Sequence, residues 1–146
     1  MLAVGSDLRG DDAAGPLVAK HLKELGRRGA PRLKVFLGGT APENLTGEIK
    51  QYRPTHLVVV DSAEFGAKPG GVAVMALSDA IGGPTFSSHS LPLTIMLQYL
   101  LHFIECEVVI LGIQPRRLSF GASPSKSVDL SARRVAKAIH SSLAGA

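Results

Sequence analysis

The segment LVVVDS, residues 57–62, joins four consecutive apolar residues, three of them valine, to a carboxylate. A β-branched run of this kind is typical of a strand that is covered on both faces, as in a parallel sheet. Asp61 then lies at the end of a buried strand, where a carboxylate must be solvated, hydrogen-bonded or coordinated. A carboxylate that holds the following loop and a metal ligand both fit this position.

Apolar runs alternate with helix-period segments on both sides of this strand. Further strands are predicted at residues 2–5, 33–37, 72–77 and 108–111, and helices at residues 16–25, 43–51, 91–103 and 127–143. This alternation predicts an α/β fold of three layers, in which a mostly parallel, twisted sheet carries helices on both faces. Most connections are short and no repeat is found, so we expect a single domain over residues 1–146.

The composition excludes several classes of protein. Hydrophobic residues make up 45% of the chain and charged residues 19%, which is not the composition of a disordered protein. One cysteine rules out an internal disulfide framework and a cysteine-based zinc finger. We find neither a signal peptide nor an apolar stretch of bilayer length, and therefore expect a cytoplasmic protein with no membrane partner.

The net charge of +4 and the pI near 9.5 raise the question of nucleic-acid binding. The basic residues lie towards the two ends of the chain, and Phe120 is the only aromatic residue among those after Gly112. One aromatic side chain is too few for a base-stacking platform. We therefore expect no nucleic-acid partner and a solvated basic face, with a docking surface for an acidic protein as the alternative.

Candidate cation ligands follow the predicted strands. The first loop, GSDLRGDD at residues 5–12, contains Asp7, Asp11 and Asp12 but no dinucleotide or P-loop pattern. Its carboxylates repel phosphate and suit a cation, although Asp11 or Asp12 also fits a helix N-cap, and the two roles are compatible.

His89 precedes the apolar helix and fits either a ligand or an ordinary loop histidine. Because ligands bind outside the carboxyl ends of parallel strands, a first-loop carboxylate, Asp61 and His89 are candidates for a shared site. Two carboxylates and an imidazole suit a divalent transition metal with open positions for water or substrate.

The sequence does not support a catalytic serine or cysteine nucleophile. The chain lacks a G-x-S-x-G elbow. Cys106 stands between Glu105 and Glu107, whose charges raise a thiol pKa, so we expect an inert thiol.

The segment 113–126, rich in Pro, Ser and Gly, is long for a loop without secondary structure and is therefore a candidate functional loop. Structural or solvent-exposed positions are expected for the remaining histidines, His21, His56, His102 and His140.

Five segments, in order, match one family. They are GSDLRGDDAAGP (5–16), GTAPEN (39–44), VVDSA (59–63), SHSLPL (88–93) and LGIQP (111–115). Together they resemble the nickel–iron hydrogenase maturation endopeptidases over nearly the whole chain. Residues 41–44 and 112–115 resemble most the branch that processes large subunits of formate-hydrogenlyase-type hydrogenases. Ser6 stands where the family usually has Asn, and Ala13 where Gly is common. A turn at Ser6 and helical geometry at Ala13 are therefore expected.

The resemblance implies a function. Such enzymes remove a short C-terminal extension from the hydrogenase large-subunit precursor after nickel insertion. By resemblance, Asp12, Asp61 and His89 correspond to the family's three metal-contacting and catalytic positions, which recognise nickel carried by the substrate. No resident cofactor is then required. The expected partner is the precursor, and the expected state of the chain is a monomer.

The mechanism and two competing classes stay open. The substrate's nickel polarises the scissile carbonyl or activates a water. Alternatively, Asp12 or Asp61 acts as general base and the metal only positions the substrate. A nickel-dependent binding chaperone without proteolytic activity would use the same three residues and leave the precursor uncut. A spore-type protease related to this family also fits the fold.

Overall fold

The computed structural model describes residues 1–26, 32–82 and 90–145. The strands are β1 (Leu2–Val4), β2 (Phe36–Gly39), β3 (His56–Ser62), β4 (Val72–Ala76) and β5 (Glu107–Ile113). The α-helices are α1 (Ala14–Leu25), α2 (Thr46–Tyr52), α3 (Leu77–Gly82), α4 (Ser90–Leu101) and α5 (Lys126–Ala144). Short 3-10 helices at Gly10–Ala13 and Pro42–Leu45 lead into α1 and α2. Within the described ranges, no helix is long and apolar enough to cross a membrane.

The strands form one mixed sheet in the order β2-β1-β3-β5-β4. Neighbouring strands run parallel except at β4, which pairs antiparallel with β5. The β3–β5 ladder continues to the end of both strands, so that Asp61 pairs with Gly112 and Ser62 with Ile113. The expected α/β fold with a mostly parallel sheet is confirmed.

Two hydrophobic clusters, one on each face of the sheet, hold the helices. One contains Val60 and Ile113 of the sheet with Val18 of α1 and Val128 of α5. The other packs the opposite side of the strands against helices α2, α3 and α4, with Leu97 fully buried. Complete burial of a valine or leucine side chain contributes roughly 1.5–3 kcal/mol, so these clusters fix the three layers.

Some boundaries differ from the sequence prediction. Strand β2 begins at Phe36 rather than at residue 33, because Phe36 donates its N–H to the Met1 carbonyl at 2.8 Å and so starts the ladder. The predicted helix at 43–51 is divided into a 3-10 turn and α2, which ends where Arg53 adopts a left-handed conformation with φ 51°. Helix α3 was not predicted, since its six residues are too few to show a helical period.

The strand order creates a crevice at the carboxyl edge of the sheet. The chain leaves β1 for β2 on one side, whereas β3 lies on the other side of β1. The connections after β1 and β3 therefore diverge, and ligands of open α/β sheets bind at such a point. The connection after β1 carries Asp12 in its 3-10 helix, and Asp61 is the next-to-last residue of β3.

Candidate active site

Asp12 closes the turn that follows β1. Its side chain is 4% exposed, and Oδ2 accepts the Ser6 N–H at 2.9 Å. Gly5 has φ +121°, and a Cβ on it would collide with the Asp12 carbonyl oxygen. Glycine is therefore required for the close approach of the two ends of the turn. Ser6, in the position where the family usually has Asn, also accepts the Leu8 N–H on Oγ at 3.2 Å, so the expected turn is formed.

Asp61 lies at the end of the central strand, as the sequence predicted. It is 3% exposed, and Oδ1 accepts the Ser62 N–H at 2.8 Å. Side chains alternate along a strand, and Val59 belongs to the cluster on the α4 face. Asp61 therefore points to the face of the sheet that α4 covers.

A glycine in α1 brings the two carboxylates to the same edge. A Cβ on Gly15 would lie 2.6 Å from the Val60 carbonyl oxygen and would also collide with the Val4 carbonyl. Because Gly15 has no side chain, the start of α1 sits directly on the ends of β1 and β3, and the 3-10 helix before it contacts β3. The segments that carry Asp12 and Asp61 therefore lie at the same edge of the sheet.

The third predicted ligand, His89, lies outside the described residues. Helix α4 begins directly after it, at Ser90, and its other end is joined to β5 by five residues. Because β5 starts at the amino edge of the sheet, the N-terminus of α4 lies at the carboxyl edge. Within the described ranges, no group of three His, Cys, Asp or Glu side chains is placed to hold a metal ion. The metal-contacting role of Asp12, Asp61 and His89 remains a prediction.

Asp11 does not cap a helix. Neither the 3-10 helix nor α1 has a side-chain cap, so the N-cap interpretation of Asp11 and Asp12 was wrong. Asp11 is completely buried instead. Its Oδ1 accepts the Ser125 N–H at 2.6 Å, and its Oδ2 accepts the N–H groups of Arg116 (2.7 Å) and Arg117 (3.1 Å) and the Ser125 hydroxyl (2.9 Å). One carboxylate thus holds both ends of the segment 116–125.

Backbone hydrogen bonds complete this attachment. The Gly10 N–H donates to the Ala122 carbonyl at 3.1 Å, the Asp11 N–H to Arg117 at 2.9 Å, and the Gly121 N–H to Leu8 at 2.8 Å. The long loop that the sequence marked as a candidate functional segment therefore lies along the loop that carries Asp12. Nothing in the sequence indicates these pairings, since the partners of Asp11 are more than 100 residues away.

Gln114 fixes the loop that follows Asp61. Its buried side chain accepts the N–H groups of Phe65 (2.9 Å) and Ala67 (3.3 Å) on Oε1. Its Nε2 donates to the Glu64 carboxylate at 2.7 Å. Gln114 lies in the segment 111–115 that resembles the family, but sequence analysis predicted no role for it. In the structure its side chain ties the connection after β3 to the end of β5.

Groups away from the crevice have structural roles. His21 is buried, with ring nitrogens 2.9 Å from the Asp129 carboxylate and 3.3 Å from that of Glu24, as expected for a structural histidine. Burial raises the pKa of the Cys106 thiol, and the Glu107 carboxylate raises it further. The thiol is therefore protonated at neutral pH, in agreement with the expected inert cysteine.

Comparison with known proteins supports the resemblance. The family model described as hydrogenase maturation protease matches residues 16–142. The hydrogenase 3 maturation protease of Escherichia coli K12 is 36% identical over 122 residues, which are 82% of this chain and 74% of that protein. The crystal structure of a NiFe hydrogenase maturation protease, HycI from Thermococcus kodakarensis, has a TM-score of 0.81 at 33% identity and covers 97% of this chain and 89% of its own. The solution structure of the Escherichia coli endopeptidase HycI has a TM-score of 0.80 at 32% identity, with 93% and 85% covered.

Proposed function

Because the chain belongs to the hydrogenase maturation protease family, and is therefore a peptide hydrolase, we propose that it removes the C-terminal extension of a nickel-loaded hydrogenase large-subunit precursor. The observation that supports this proposal most strongly is the pair of buried carboxylates, Asp12 in the 3-10 helix after β1 and Asp61 at the end of β3. Each belongs to a segment that resembles the family's motifs, and each lies at the edge where open α/β sheets bind ligands.

Nickel carried by the precursor is the recognised feature. Buried carboxylates attract a divalent cation more strongly than exposed ones do, because water screens the charges less in a buried site. A cation that arrives with the substrate adds this attraction only when the substrate binds. Carboxylate and imidazole ligands suit nickel, so Asp12, Asp61 and His89 together discriminate a loaded precursor from an empty one. The enzyme needs no resident cofactor for this step.

Hydrolysis adds a water to the scissile carbonyl carbon, and a proton passes to the leaving amine as the C–N bond breaks. In one route, the substrate's nickel polarises the carbonyl or the water. In the other, the carboxylate of Asp12 or Asp61 accepts the proton of the water and nickel only positions the substrate. Replacing nickel in the precursor by other divalent ions separates the routes, because the rate follows the Lewis acidity of the ion in the first route alone.

The test is intact-mass spectrometry of the precursor after incubation with the chain, with nickel-loaded and nickel-free precursor side by side. Loss of a C-terminal peptide from the nickel-loaded form alone is the expected result. Cleavage of both forms would support the protease activity and contradict the recognition of nickel. Binding of the nickel-loaded form without any cleavage would contradict the proposal and favour the nickel-dependent chaperone.

A further inference from the structure

We propose that Leu8, Arg9, Arg116, Arg117 and Phe120, here called the rim patch, form the docking surface for an acidic face of the hydrogenase precursor. This inference rests on the proposed function and deepens it, because it specifies what the partner presents beside the crevice. It uses none of the residues assigned to nickel recognition. The patch and the chemistry of the site can therefore be tested separately.

Two large apolar side chains of the patch stand in solvent. Phe120 is 80% exposed and Leu8 is 61% exposed. Phe120 is held outward at the tip of a turn, in which the Ala122 N–H donates to the Ser119 carbonyl at 3.1 Å and Gly121 has φ +78°. A conformation with positive φ at the third position is that of a type II turn. Exposed apolar side chains that lie together and are rimmed by polar residues mark an interaction site.

The patch is one continuous surface because its two loops are bonded to each other. The Gly121 N–H donates to the Leu8 carbonyl at 2.8 Å, next to Phe120. On the other side, the Asp11 carboxylate accepts the N–H groups of Arg116 and Arg117. The backbone of residues 8–11 therefore runs beside that of residues 116–122. Such a surface loses little conformational freedom when a partner binds, which favours affinity.

The charge of the patch specifies the partner. All three arginines are exposed, and no ion pair joins them to a carboxylate in the part of the chain that the structure describes. The Asp11 carboxylate beneath them is buried and accepts hydrogen bonds from backbone N–H groups and from the Ser125 hydroxyl. Arginine and aromatic side chains, phenylalanine included, are enriched at protein–protein interfaces. The complementary surface is acidic with an apolar centre.

The patch is also next to the crevice. Arg9 accepts the Asp12 N–H on its carbonyl at 3.1 Å, and Asp12 is the candidate nickel-contacting residue. A precursor seated on the rim patch would therefore have its cleavage region beside the carboxylates. The remaining basic residues of α5, including Arg134 and Lys137, are exposed but lie along a helix that leads away from this loop.

The experiment measures steady-state cleavage of a nickel-loaded hydrogenase large-subunit precursor. The patch variants are Phe120→Ser and the double variant Arg116→Glu/Arg117→Glu. The matched controls are Val74→Ser, a residue 67% exposed on the edge strand β4 and outside the rim patch, and Arg134→Glu/Lys137→Glu, which has the same change in charge. Thermal melting checks the fold of each variant.

We expect KM to rise about tenfold or more in both patch variants, with kcat within about twofold of the wild type, as for residues at the centre of an interface. The controls are expected to retain the wild-type KM. Added salt should raise KM for the wild type and much less for the double arginine variant, because the charge attraction is already lost.

An unchanged KM in both patch variants would overturn the docking assignment while the proposed function stands. A fall in kcat at constant KM would also overturn it, since the loops would then act on the site rather than on binding. If the wild-type chain leaves the nickel-loaded precursor uncut, the proposed function itself fails, and the inference fails with it.

Discussion

Replacement of Asp11 by asparagine tests whether one buried carboxylate holds the long loop in place. The carboxylate accepts four hydrogen bonds, from two backbone N–H groups and the Ser125 hydroxyl on Oδ2 and from the Ser125 N–H on Oδ1. The amide keeps one acceptor oxygen. If that oxygen takes the place of Oδ2 and accepts its three hydrogen bonds, the amide NH2 takes the place of Oδ1. It then faces the Ser125 N–H, whose nitrogen lies 2.6 Å from Oδ1 in the wild type, so that two donors meet. A buried donor without an acceptor costs about 1–3 kcal/mol, and bonds to a charged group contribute about 1.5–3 kcal/mol.

We therefore expect Asp11→Asn to lower the free energy of unfolding by about 2–4 kcal/mol, a large part of the roughly 5–15 kcal/mol of a typical domain. Urea unfolding followed by circular dichroism measures it. The matched control is Asp7→Asn, an exposed aspartate of the same loop, for which a change within about 0.5 kcal/mol is expected. Equal stability of the two variants would refute the role given to Asp11.

Three further predictions concern Gln114, Cys106 and His89. Gln114→Glu places a second carboxylate where the Gln114 amide donates to Glu64 at 2.7 Å, so Tm should fall at neutral pH. Tm should recover towards about pH 4, where carboxylates protonate, and also when Glu64→Gln is added. A loss of Tm that does not depend on pH would contradict this prediction. Because burial and Glu107 raise the pKa of the Cys106 thiol, its alkylation profile should lie at higher pH in the native than in the urea-unfolded chain, and coincident profiles would oppose it. His89→Ala should abolish cleavage of the nickel-loaded precursor or make it independent of nickel, whereas unchanged nickel-dependent cleavage would remove His89 from the site.

The sheet was predictable because its central strands consist of continuous apolar runs. The runs at 57–60 and 108–111 both lie within strands of seven residues, and Asp61 follows one of them directly. The position of Asp61 at a sheet edge thus followed from local pattern alone. The elements placed incorrectly or missed were short, such as β2 and α3, where one backbone hydrogen bond or a single turn decides the boundary.

The roles of Asp11 and Gln114 were not predictable from local pattern. Asp11 is of a residue type, and at a position, that favours an N-cap, whereas its actual partners at residues 116–125 are distant in sequence. Gln114 bonds to residues 64–67 across two neighbouring loops that meet only once β3 and β5 have paired. Both contacts depend on tertiary structure, so neither periodicity nor residue type indicates them.

The most direct test of the central claim is the cleavage rate of nickel-loaded precursor with Asp12→Asn and Asp61→Asn, beside Asp7→Asn as control. Each amide keeps one oxygen for the backbone N–H that the carboxylate accepts, from Ser6 or Ser62, removes the negative charge and turns the second oxygen into an NH2 group. We predict a fold like that of the wild type and a rate lower by about 10²-fold or more in both variants, with full activity in the control. Cleavage by either variant at the rate of Asp7→Asn would contradict the assignment of that carboxylate to the site.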